Sequence, residues 1–510
     1  ALLCQARRAL DAYQDDSQVA HLDEAVRLWD RLWKPKSLNA VTASFRLCLL
    51  NDGAEAYIQR YWARGNKRDL QLALSTWERV VAETAEGEPE RPARLNNLGI
   101  ALSDLHALTG KDDDLDRAIA AYDRAIESTT YADPDLAMYL GNLGTGLSTR
   151  YESKGQEHDL KRAAEVLECA VQRTPLDSPA RPGRQNNLGS GLCQLYIRTG
   201  DRSMLERAIL NCQEAAEALS PASPLRPRYL SNWARTLCLR HERTGDRDSL
   251  DQAIVLMREA VARTDDKVAE RPRFICNLAG ALLDRYECAE SIADLDESIA
   301  LAEGMFRYPC AKSDGAAIKH NLGKGLWNRY HQLGELKDLK DAVRLLNEAV
   351  NLTGGQSPSS SMYLDSLGNA LSDLHHATGA IDSLSEALMA YRRATQSPAG
   401  ITIDRLDHLG NKGSALTTLY DRTGDTQTLA EALSVCREAV EESEPGSVGR
   451  PRHLSNLASA LNMRYTHTGQ LHDIEEAVAL LEEAVQETPG RSLKRCAYLN
   501  NLGNGLSRIY

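Results

Sequence analysis

Eleven cysteines and twelve histidines are the side chains in this 510-residue chain best suited to hold a metal or act as nucleophiles. Their spacing argues against both roles. No Cys-x-x-Cys occurs, and the adjacent His375 and His376 would point about 100° apart on a helix, a poor chelate. No His-Glu-x-x-His, Walker-type Gly-rich loop or Gly-x-Ser-x-Gly appears. Cys193 and Cys238 would approach one another only as a consequence of helix stacking. An odd number of cysteines also argues against a complete disulfide framework. Cys212 and Cys436 share a position with Tyr122, Leu167, Met257 and Leu481, so they read as small apolar residues in a reducing, cytoplasmic compartment. No catalytic residue, metal or cofactor is expected, and the chain is not expected to be an enzyme.

The polar residue that does recur in register is asparagine, usually as Asn-Leu-Gly. It stands at Asn97, Asn142, Asn187, Asn232, Asn277, Asn321, Asn411, Asn456 and Asn501, with Ser366 taking its place once. Successive positions differ by 45, except for 44 between Asn277 and Asn321, and one step back from Asn97 falls on Asp52. A period of this size over the whole chain specifies stacked supersecondary units instead of one core.

Each unit reads as two helices. Pro92, Pro182, Pro227, Pro272 and Pro451 precede their asparagines by five residues, a place where the missing N–H of a first helical turn costs nothing. The first helix, A, ends at a glycine: Gly65, Gly110, Gly155, Gly200, Gly245, Gly334, Gly379, Gly424 or Gly469. Four residues later, Asp69, Asp114, Asp159, Ser249, Asp294, Asp338, Ser383, Thr428 and Asp473 are N-cap types that predict the start of helix B, with Met204 the exception. Helix B carries alanines seven apart, such as Ala118 and Ala125, which lets two helices approach closely. At about 100° per residue, Leu95, Leu98, Gly99, Leu102 and His106 share the core face of helix A, and Asn97 lies opposite. The place of His106 is taken by Tyr61, Tyr151, Tyr196, Tyr286, Tyr330, Tyr420, Tyr465 and Tyr510, and by His241 and His375; these rings are expected in the core with their polar tips at its rim. Arg-Pro pairs such as Arg91-Pro92 and Arg450-Pro451 read as locally paired or solvated.

Leu98-Gly99, Ala118, Tyr122, Ala125 and the inter-unit prolines resemble the tetratricopeptide (TPR) signature, lengthened by some eleven residues over the usual period of about 34. Units such as Asn142-Leu143-Gly144 through Ala163 resemble the long repeats of fungal proteins that join such arrays to a C-terminal CHAT domain, a caspase-like protease fold. The resemblance implies an all-α, right-handed superhelical solenoid of antiparallel helix pairs whose concave wall is lined by helix A. It also implies a role for the asparagines, because related arrays, such as that of O-GlcNAc transferase, grip a peptide backbone with an asparagine ladder. A carboxamide offers both donor and acceptor to a peptide amide. The alternative is that each asparagine bonds a neighbouring helix and fixes the stacking. Arg228, Arg273, Arg452, Asp104, Asp284 and Asp373 would flank the ladder.

The expected organisation is a degenerate repeat over 1–42, ten tandem helix pairs over 43–495 and the first helix of a further repeat over 496–510. A net charge of −12, from 72 acidic and 60 basic side chains, excludes the footprint of a general nucleic-acid or membrane-surface binder. No run of about 18 apolar residues exists to span a bilayer. The chain opens on Ala1 and stops at Tyr510 within a unit, which reads as part of a longer protein. Two functions follow: a scaffold that binds an extended peptide or partner helix, or the sensor arm of a larger protein with a C-terminal effector of the CHAT type.

Overall fold

The computed structural model describes residues 1–16, 18–266, 268, 270–305, 312–353, 360–396, 402–488 and 493–509; Tyr510 lies outside them. Every regular element among these residues is a helix. The chain divides into two units, Ala1–Gly191 and Leu192–Tyr510. The first holds α1 (Leu2–Asp16), α2 (Val19–Leu32), α3 (Pro35–Leu38), α4 (Ala43–Arg64), α5 (Lys67–Glu83), α6 (Arg91–Thr109), α7 (Asp112–Glu127), α8 (Leu136–Lys154) and α9 (Glu157–Gln172). The division falls inside α10 (Arg181–Thr199). The second holds α11 (Arg202–Glu217), α12 (Arg226–Thr244), α13 (Arg247–Ala262), α14 (Arg271–Ala289), α15 (Ile292–Met305), α16 (Lys312–Leu333), α17 (Leu336–Thr353), α18 (Ser360–Thr378), α19 (Ile381–Gln396), α20 (Thr402–Thr423), α21 (Thr426–Glu441), α22 (Arg450–Thr468), α23 (Leu471–Glu487) and α24 (Leu493–Ile509). From α4 onward, even-numbered helices are A and odd-numbered ones B. Within each unit, A packs on its own B, and B packs on the next A.

The alanines allow that closeness. Ala118, Ala125, Ala163, Ala170, Ala253, Ala260, Ala342 and Ala349 are all fully excluded from solvent. Glycine does the same on helix A. A Cβ at Gly99 would lie 2.5 Å from Tyr122, and one at Gly368 would lie 2.5 Å from Tyr391. Core clusters run from one helix pair into the next, as Leu102, Tyr122, Leu143 and Ala163 do in the first unit.

Helix A stops where expected, with Gly110 in the left-handed region at φ 69° and its N–H on the His106 carbonyl. In one unit the same place is held by Glu290, the single non-glycine residue of positive φ (53°) among those described. A side chain there strains against the backbone. Glu290→Gly is therefore expected to stabilise the second unit by about 1 kcal/mol, read as a rise in the denaturant midpoint.

Helix B begins earlier than the sequence suggests. Its caps are residues such as Asn66, Asp201, Asp246 and Asp425, which accept backbone N–H groups. The aspartates read as caps, Asp69, Asp159, Asp294, Asp338 and Asp473, sit on the third helical residue instead and are buried. Each receives a two-pronged pair from an arginine nine residues back on helix A: Arg60, Arg150, Arg285, Arg329 and Arg464. Ser249 takes the same place opposite Arg240 (2.7 Å). The turn between the two helices is only two residues long, the glycine position and the cap, so a cap-type residue three after the cap is carried inward against helix A.

The Arg-Pro arginines have a structural task too. Arg181 Nη1 donates to the carbonyls of Val171 (3.1 Å) and Thr174 (2.6 Å), and Arg450 Nη1 to those of Val440 and Ser443, both at 2.8 Å. They satisfy the orphan carbonyls at the end of the preceding helix B. Arg91, Arg226, Arg271 and Arg495 do the same. On the outer side, ion pairs join successive B helices, among them Arg258–Glu297 (2.6 Å) and Arg437–Glu476 (3.2 Å). Such exposed pairs are worth under about 1 kcal/mol each.

Candidate functional site

Each asparagine stands at the middle of helix A, where it meets the helix A before it. Its Nδ2 donates to the residue that precedes the equivalent position one unit earlier. Asn97 bonds Asn51 Oδ1 (3.3 Å), Asn142 bonds Asn96 Oδ1 (2.8 Å) and Asn277 bonds Ser231 Oγ (3.0 Å). Asn321 and Asn456 reach the backbone carbonyls of Cys276 (2.8 Å) and Gly410 (2.9 Å). Asn411 donates to both Asp365 oxygens (3.0 and 3.1 Å), and Asn501 to Ser455 Oγ (3.3 Å). Asn187 departs, meeting Thr145 Oγ1 at 3.4 Å, and Asn232 is engaged as well. Ser366 continues the pattern through His320 Nε2 (2.9 Å). A carboxylate or backbone carbonyl can only accept, so the amide orientation is settled by chemistry in Asn321, Asn411 and Asn456.

The series thus performs the stacking task that was the alternative reading of the sequence. It does not exhaust the side chains. Eight of the nine asparagines are half-buried and Asn187 is exposed; none is sealed. In Asn97, Asn142, Asn277, Asn456 and Asn501 the carbonyl oxygen and the second N–H have no hydrogen-bond partner among the described residues.

The flanking charges are mostly matched within the array. Arg228 pairs with Glu270 (2.6 Å), Asp104 accepts from Trp62 Nε1 (2.7 Å), and Asp284 lies 3.5 Å from Lys324. Arg273 is the exposed exception, 3.9 Å from Asp314. Three of the sequence-selected residues converge in the second unit. A cavity of about 270 Å³ between α16, α18, α19, α20 and α22 is lined by Asn411, Arg452 and Asp373, with Trp327, Asn369 and Tyr391. Asp373 holds Trp327 Nε1 (2.6 Å) and His331 Nε2 (3.0 Å). Arg452 pairs with Asp407, whose other partner is His453 Nε2 (2.9 Å). Burial alone would raise the Asp407 pKa, but Arg452 and His453 hold it well below the usual carboxylate range. Asp365 is pushed the other way by burial, against the stabilising bond from Asn411. The lining offers donors, acceptors and an aromatic face.

The rings at the end of helix A are core residues, as expected. Tyr151, Tyr196, Tyr286, Tyr420, His241 and His375 are buried, whereas Tyr61, Tyr330, Tyr465 and His106 are half-buried. Tyr286 Oη accepts from Gln332 at the rim (2.6 Å). His106, His241 and His375 each bring Nδ1 to the carbonyl five residues on, at 2.8, 2.9 and 2.9 Å. Cys193 lies against Arg235 Nη2 (3.3 Å). Sequence reasoning missed the Arg–Asp pairs, although the signal was present. Arginine at 60, 150, 285, 329 and 464 coincides with aspartate nine residues on, and Leu195, Leu374 and Leu419 coincide with Met204, Ser383 and Thr428; Leu105 with Asp114 and Arg240 with Ser249 depart from the pattern.

No family model matches this chain, and no curated protein matches it. Solved structures do. The human IFIT1 dimer with m7Gppp-AAAA is similar at 11% identity over 91% of this chain and 90% of that one, with a TM-score of 0.50. The Cut9–Hcn1 hetero-tetramer of the APC/C aligns at 12% identity over 99% and 93%, with a TM-score of 0.44. Yeast Tom70 aligns at 13% over 92% and 97%, with a TM-score of 0.31. No helix among the described residues is long and apolar enough to cross a membrane. With its paired helices, its 45-residue register and the likeness to IFIT1, the chain is an all-α solenoid of the tetratricopeptide type.

Proposed function

We propose that this array is a protein-interaction scaffold without chemistry of its own, which takes an extended peptide or a partner's helix along the wall of A helices. The working region is ten helix pairs over 43–495, flanked by a degenerate repeat over 1–42 and the first helix of another over 496–510. Asn97, Asn142, Asn187, Asn232, Asn277, Asn321, Asn411, Asn456 and Asn501 would supply the backbone contacts. One observation carries the reading: Asn97, Asn142, Asn277, Asn456 and Asn501 spend one N–H on stacking and keep a carbonyl and a second N–H in a half-open position. Asn411 lines a cavity that also presents Arg452 and Asp373, as a side-chain pocket would.

The test uses a random peptide library panned on the folded chain. Serine keeps the inter-unit bond at position 366, so Asn411→Ser with Asn456→Ser removes the carboxamides while preserving the stack. The double variant should weaken a selected peptide about tenfold, or 1.4 kcal/mol. Unchanged affinity would remove the ladder from the binding site. The oligonucleotide m7Gppp-AAAA, the ligand in the similar IFIT1 structure, serves as the counter-probe. It is expected not to bind, because Asp407 neutralises Arg452 and the wall also carries Asp284, Asp365 and Asp373. Salt-dependent capture would reverse that choice.

A second reading, the sensor arm of a larger protein with a CHAT-type effector, draws support from one contact. Within the second unit, Glu444 pairs with Arg202 (3.2 Å) and Arg243 (2.6 Å), 242 and 201 residues earlier. Exposed pairs of this kind are weak and salt-screened. Such a latch would open at little cost, as a transmitting arm requires. The coding sequence beyond Tyr510 decides this reading: a protease fold there supports it, and a stop after one helix pair removes it.

A further inference from the structure

One side-chain pair in the second unit is explained neither by stacking nor by the peptide wall. Cys288 Sγ, in the last turn of α14, lies 3.3 Å from Nε2 of His241 on α12. His241 Nδ1 is 2.9 Å from the Asp246 carbonyl, which can only accept, so the ring proton sits on Nδ1 and Nε2 is left as the base facing the thiol. Nucleophile, base and orienting group therefore stand in hydrogen-bonded sequence. His241 is buried, 7% exposed, whereas Cys288 is half-buried and within reach of small molecules.

Packing does not ask for this cysteine. The equivalent place is held by Leu108, Ser153, Arg198, Gln332 and Arg422 in other units. His241 in turn occupies a place where tyrosine is the usual residue. A helix C-terminus opposes a bare thiolate. Here Arg247 Nη2 donates to the Cys288 carbonyl (2.7 Å), which sets a cation at that end.

We propose that Cys288 is a nucleophilic thiol activated by His241, and a site of oxidation by hydrogen peroxide. Nε2 takes the thiol proton and the sulfur attacks one peroxide oxygen. The S–O bond forms as the O–O bond breaks, and the departing hydroxide leaves as water with the proton held by His241. Cysteine is oxidised to the sulfenic acid by two electrons, and the peroxide is reduced.

Site-resolved mass spectrometry of the folded chain tests this, with iodoacetamide as the probe of nucleophilicity and the half-buried Cys48 and Cys169 as internal references. Cys288 should alkylate at least about tenfold faster than either reference. Peroxide followed by dimedone should label Cys288 first. His241→Tyr restores the residue that other units carry and so keeps the fold; it should bring Cys288 down to the reference rate. Equal rates for the three cysteines in the unaltered chain would overturn the proposal, as would a Cys288 rate unaffected by His241→Tyr.

Discussion

Replacing Arg285 with alanine should destabilise the second unit by about 2–4 kcal/mol, because it strands the buried Asp294 carboxylate. Arg285 donates to both Asp294 oxygens at 2.6 and 2.8 Å, and to Asp251 at 2.9 Å. Asp294 is 5% exposed, so water cannot replace what the guanidinium supplied. In a repeat array the loss is local first, and hydrogen exchange should show α14 and α15 opening before their neighbours. The pair also sets a pH dependence. Hydrogen bonding to Arg285, opposed by burial, lowers the Asp294 pKa, and Arg329 does the same for Asp338. A depressed carboxylate pKa stabilises the fold above the ordinary value and loses that contribution as pH falls through the folded value. The cost of Arg285→Ala should therefore be greatest at neutral pH and shrink as acid protonates the stranded carboxylate, whose pKa burial raises once Arg285 is gone. The double change Arg285→Leu with Asp294→Ser copies the Leu374 and Ser383 unit. It should recover most of the stability in denaturant melts. If it is as damaging as the single change, the pair is not the cause.

Gly99→Ala should cost about 1–3 kcal/mol, the range expected for forcing a methyl into a filled core. The new Cβ would fall within 2.5 Å of the Tyr122 ring, whose hydroxyl is fixed 3.2 Å from Ser103 Oγ. The chain itself contains the compensated combination, since Ala234 on helix A faces Met257 in another unit. Gly99→Ala with Tyr122→Met should accordingly regain part of the loss, because an unbranched thioether adapts to the space left. Thermal melts of the two variants read the difference. A harmless Gly99→Ala would mean that helices α6 and α7 are not held together at their closest approach.

Much of this architecture could be read from residue order because the period repeats the same local physics. Proline at the start of helix A, glycine at its end and alanines seven apart on helix B all act within one unit or on its nearest partner. Their consequences hold wherever the unit is placed. The exception at Glu290 was readable as a missing glycine, but only the backbone shows that the left-handed turn is kept regardless. The aspartates of helix B were misplaced for a specific reason. Residue type alone does not separate a cap exposed at a helix end from a carboxylate buried against an arginine.

The one-dimensional pattern determined the solenoid, its period, the core face and the identity of the recurring amide. Tertiary structure alone decided what each amide touches. Its partner lies a whole unit away, and that partner can be a carboxamide, hydroxyl, carboxylate or backbone carbonyl with no shared residue type. The cavity at Asn411 and the thiol–imidazole pair of Cys288 and His241 arise in the same way. Both are made by side chains from different units, and their distances depend on how successive helices settle against one another, which no periodicity records.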